Sequence, residues 1–80
     1  MKKLLKPSVF TYANPLEVKA LREIAIDNGC IATDDCEEGD DCILFRANKV
    51  TTYQSSFFEK PNFSDEVTIE TFLKAVSNNN

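Results

Sequence analysis

Asn14-Pro15-Leu16-Glu17-Val18-Lys19-Ala20-Leu21-Arg22-Glu23-Ile24-Ala25-Ile26-Asp27-Asn28-Gly29 decides the fold. Asn is a favoured N-cap because its side-chain oxygen can accept a free amide of the first turn. Pro15 suits the first helical position, and Glu17 stands three residues after the cap, where it can answer the cap's own N–H. Val18, Leu21, Ile24 and Ala25 then recur at helical spacing on one face. Asn28-Gly29 supplies a left-handed stop. The pattern predicts a helix over residues 15–28 whose apolar face needs another layer to cover it.

Strand signals flank this helix. Ser8-Val9-Phe10-Thr11-Tyr12-Ala13 is β-branched and aromatic, and Cys30-Ile31-Ala32-Thr33 is a shorter run of the same kind. Cys42-Ile43-Leu44-Phe45-Arg46 and Val50-Thr51-Thr52-Tyr53-Gln54 form a hairpin around Ala47-Asn48-Lys49, since Asn tolerates positive φ in a tight turn. Its register stays open, because each loop length sends a different set of residues inward. Residues 55–65 read as irregular. Thr68 caps a last helix, with Ile69, Phe72, Leu73 and Val76 forming an apolar stripe.

The order is β-α-(β)-β-β-α. The expected fold is α+β: a small antiparallel or mixed sheet of three or four strands with both helices packed on one face. Leu21, Ile24, Ala25, Phe45, Phe72, Leu73 and Val76 are the expected core. The other sheet face would carry Thr, Tyr, Gln and Ser, either solvated or paired with a second protomer. Eighty residues make one domain, 1–80, with 77–80 read as a frayed tail.

Composition excludes several functions. The chain has 9 Lys+Arg against 13 Asp+Glu, a net charge of -4 and no His. Without His there is no catalytic imidazole and no Cys/His zinc site. No basic footprint points to direct nucleic-acid binding, and no apolar run approaches the roughly 20 residues of a membrane span. Met1-Lys2-Lys3-Leu4-Leu5-Lys6-Pro7 begins like a signal peptide but lacks the apolar region that would follow, so it reads as a solvated basic tip. Cys30, Cys36 and Cys42 are odd in number and spaced C-x5-C-x5-C, unlike a zinc ribbon or a redox pair. Cys30 and Cys42 read as core thiols. Cys36 lies among acids that disfavour its thiolate. The expected setting is a reducing cytoplasm.

The most distinctive run is Asp34-Asp35-Cys36-Glu37-Glu38-Gly39-Asp40-Asp41, with 6 carboxylates in 8 residues. A calcium loop with Gly39 at position 6 would place Cys36 at position 3 and Phe45 at position 12, so two ligands fail. Paired-carboxylate catalysis needs a shaped pocket that an exposed run does not offer. Weak, non-specific binding of divalent cations stays open beside two stronger readings: a solvated loop between strands, or a row of charges that imitates a nucleic-acid backbone and docks on a partner's basic surface. On the second, Asp34, Asp35, Glu37, Glu38, Asp40 and Asp41 contact a protein partner. Phe57, Phe58 and Phe63 form a second candidate, either roofing a thin core or standing exposed as anchors. No catalytic residue, metal ligand or cofactor site is expected.

A strand, the Asn14–Gly29 helix, a hairpin and Thr68-Ile69-Glu70-Thr71-Phe72-Leu73-Lys74-Ala75-Val76 together resemble small accessory proteins of tailed bacteriophages. The resemblance covers most of the chain; the acidic insert departs from it. It implies a non-enzymatic protein that binds and inhibits a host or defence complex in the host cytoplasm, as anti-CRISPR proteins do, and it assigns no functional residue. The alternative is a homo-oligomeric module, such as a homodimer, with no external target.

Overall fold

Residues 8–33, 36–56 and 64–77 are described by the structure, a computed structural model. Their order is β1 (Val9–Tyr12), α1 (Pro15–Asp27), β2 (Ile31–Ala32), β3 (Cys42–Arg46), β4 (Lys49–Tyr53), β5 (Asp65–Glu66) and α2 (Ile69–Ser77). Met1 to Pro7, Asp34, Asp35, Phe57, Phe58, Phe63 and the last three residues lie outside the described segments.

The capping box forms as its residue types dictate. The Glu17 amide donates to Asn14 Oδ1 at 2.8 Å, and the Asn14 amide donates to Glu17 Oε1 at 3.2 Å. At the other end Gly29 takes φ +94°, the Gly29 amide donates to the Ile26 carbonyl and the Cys30 amide to the Ala25 carbonyl, both at 3.0 Å. This is a Schellman stop, and a side chain at Gly29 would strain it.

Val18, Leu21 and Ala25 are buried, but Ile24 is 38% exposed, a correction to the expected core. The reason is angular. At about 100° per residue, Ile24 lies about 120° around the axis from Val18. Its spacing fits a broad apolar face, whereas the contact with the sheet is narrower.

The sheet has five strands in the order β2-β4-β3-β1-β5. β3 pairs antiparallel with both β1 and β4, while β1–β5 and β2–β4 are parallel. The sheet is therefore mixed, one strand larger than the upper expectation. The additional strand is Asp65–Glu66, anchored where the Asp65 amide donates to the Ser8 carbonyl and the Val67 amide to the Phe10 carbonyl, both at 2.9 Å. Residue 65 thus leaves the irregular stretch, and Ser77 belongs to α2 rather than to a frayed tail.

The hairpin turn is two residues long. Ala47 (φ 51°) and Asn48 (φ 69°) both lie in the left-handed region, as a type I′ turn requires. Lys49 consequently pairs with Arg46, and the register follows: Phe45 opposite Val50, Ile43 opposite Thr52, Val9 opposite Phe45. Val9, Ile43, Phe45 and Val50 share the core with α1 and with Phe72 and Val76 of α2. The Phe45 and Phe72 rings meet edge-to-face at 6.5 Å. Leu73 is half-buried and packs against this cluster, as does Ile69. Thr68 caps α2 by accepting the Thr71 amide at 3.2 Å.

The same register puts Phe10, Tyr12, Cys42, Leu44 and Tyr53 on the opposite face. That face is not the polar surface expected. Phe10 and Cys42 are fully buried, Leu44 and Tyr53 half-buried, and the Phe10 and Tyr12 rings meet at 5.5 Å with planes at 90°. β3 is the central strand, and from Cys42 to Phe45 its side chains are apolar on both faces.

Candidate functional site

The acidic run joins β2 to β3, and its described part, Cys36 to Asp41, is a tight turn with a divided role. Gly39 sits at φ +96°, where an added Cβ would come within 3.3 Å of Gln54 Nε2. Both facts favour Gly there. Gln54 Nε2 also donates to the Glu38 carbonyl at 3.4 Å, tying the turn to the residue after β4.

Asp40 faces inward. Its Oδ2 accepts the Glu37 amide at 3.0 Å and the Thr52 hydroxyl at 2.7 Å, while its own amide donates to the Glu37 carbonyl at 3.1 Å. Only 4% of Asp40 is exposed. Asp41 is half-buried, and its Oδ1 and Oδ2 accept the Ser55 amide at 2.7 Å and the Ser55 hydroxyl at 3.0 Å. Its carbonyl accepts the Ala13 amide at 3.1 Å, which links the turn to the end of β1. A carboxylate is an acceptor-only group, and here Asp40 Oδ2 and both oxygens of Asp41 meet donors.

This corrects the expectation that all six acids are exposed. Asp40 and Asp41 hold the turn. Glu37 and Glu38 are exposed, and Asp34 and Asp35 lie outside the described residues, as do Phe57, Phe58 and Phe63. No local signal separates Asp40 from its neighbours. The signal is the strand register, which brings Thr52 and Ser55 to this end of the sheet, and that register depends on the two-residue turn at the far end of the hairpin.

The cysteines are free. Cys30 and Cys42 are buried, as expected of core thiols, and Cys36 is half-buried against the main core. Burial pushes the Cys42 thiol above its ordinary value despite its hydrogen bond with Tyr53, and nearby Asp41 and Glu66 push it further. Burial also raises the Tyr53 phenol strongly, and the bond to Cys42 adds to the rise. Both groups stay protonated at neutral pH. Cys42 is thus a packed thiol rather than a nucleophile.

Among the described residues, no three His, Cys, Asp or Glu side chains gather as a metal site requires, and no helix is long and apolar enough to cross a membrane. No family model matches this chain, and no curated protein or solved structure does either.

Proposed function

We propose that this chain is a small, non-enzymatic binding protein whose acidic turn docks on a basic surface of a protein partner, one shaped to hold a nucleic-acid backbone. The observation that supports this reading is the division of labour in the turn. Asp40 and Asp41 tie its backbone to Thr52, Ser55 and Ala13, while Glu37 and Glu38 project outward. Carboxylates on a pinned backbone lose less conformational freedom on binding than those on a slack loop. Asp34 and Asp35 extend the charged run in sequence. The resemblance to phage accessory proteins suggests the partner class: a host or defence complex that handles nucleic acid, anti-CRISPR action being one form.

The test is capture of partners from a host lysate over a salt series, with the parent and a Glu37→Gln/Glu38→Gln variant. Partners retained by the turn should be lost steeply as salt rises, because exposed charges are screened. The variant should bind more slowly and with a shallower salt dependence. An unchanged rate and salt dependence would overturn the reading and leave Phe57, Phe58 and Phe63 as the leading contact residues.

A second reading, a homo-oligomeric module, draws on the exposed apolar side chains Leu16, Ile26 and Ile31. Light scattering at rising concentration distinguishes the two. An assembly held by apolar burial persists at high salt, whereas the binding protein stays monomeric.

A further inference from the structure

We draw no further inference here: the strongest candidate, the apolar patch of Phe10, Tyr12, Cys42, Leu44 and Tyr53 on the sheet face opposite the helices, carries nothing because nothing among the described residues shows what covers it.

Discussion

Replacing Asp40 by alanine tests whether an acid in the charged run is part of the fold. The substitution removes the acceptor for the Glu37 amide and for the Thr52 hydroxyl. Hydrogen bonds to a charged group contribute about 1.5–3 kcal/mol each. The two losses differ in weight. Glu37 is exposed, so water can replace the carboxylate at its amide, whereas Thr52 is 4% exposed and its hydroxyl is left without an acceptor. A total of about 2–4 kcal/mol follows, most of it from Thr52. For a domain of this length each kcal/mol lowers Tm by roughly 4–8 °C, so thermal melts should show a drop of about 10 °C or more. Glu38→Gln, on the exposed side of the same turn, should stay within about 0.5 kcal/mol of the parent. Thr52→Val separates the terms: once the hydroxyl is gone, Asp40→Ala should cost distinctly less than it does in the parent. An Asp40→Ala protein that melts with the parent, or alanine and Thr52→Val effects that simply add, would refute the assignment.

Other substitutions test the core and its chemistry. Phe72→Ala should cost about 3–5 kcal/mol and Leu21→Ala about 2–5 kcal/mol by urea denaturation, both being buried against the sheet. Ile24→Ala, on the shoulder of α1, should cost less than either; equal losses at Leu21 and Ile24 would mean that α1 is rotated. A thiol reagent at neutral pH should modify half-buried Cys36 before Cys30 and Cys42, and fast labelling of Cys42 in the folded protein would refute its burial. Stability should fall in alkali. The folded values of Cys42 and Tyr53 lie above their ordinary values of 9.0 and 10.0, so the folded state holds protons that the unfolded chain releases. Their contribution is complete below about pH 9 and is lost as pH rises toward the folded values. Melting temperatures that do not decline over that range would contradict it.

How much of this was legible in the residues follows from the range of each signal. α1 is written in local terms: a cap, a proline, a capping glutamate and a glycine stop, all within the helix or two residues beyond. Its rotation is not local, because it depends on how wide a surface the sheet offers, and Ile24 was misplaced for that reason. The hairpin was legible from Asn48, but its register rested on whether the turn held two residues or three. That one residue decides which side chains of β3 and β4 face the helices. β5 had no signal at all. Asp65 and Glu66 have low strand propensity, and their pairing comes from β1 beside them. Asp40 was unreadable for the same reason as the register, since its partner Thr52 lies 12 residues away.

The division within the turn bears on how charge in such a run can be interpreted. Net charge counts Asp40 and Asp41 with the rest, yet Asp40 is buried with its Oδ2 on Thr52 and the Glu37 amide, and both Asp41 oxygens are on Ser55, so they are only weakly available to a partner. The charge on offer is therefore smaller than the sequence suggests, and it belongs to Glu37 and Glu38 and to whatever Asp34 and Asp35 add. Neutralising all six acids at once would confuse two effects, since unfolding through Asp40 would mimic loss of recognition. Neutralising Asp34, Asp35, Glu37 and Glu38 spares the pins and relieves repulsion among like charges, so Tm should hold or rise. If that protein unfolds, the outward acids also carry the fold. If it folds and its partner still associates at the parental rate, the turn is a strand connection whose charge serves solubility alone.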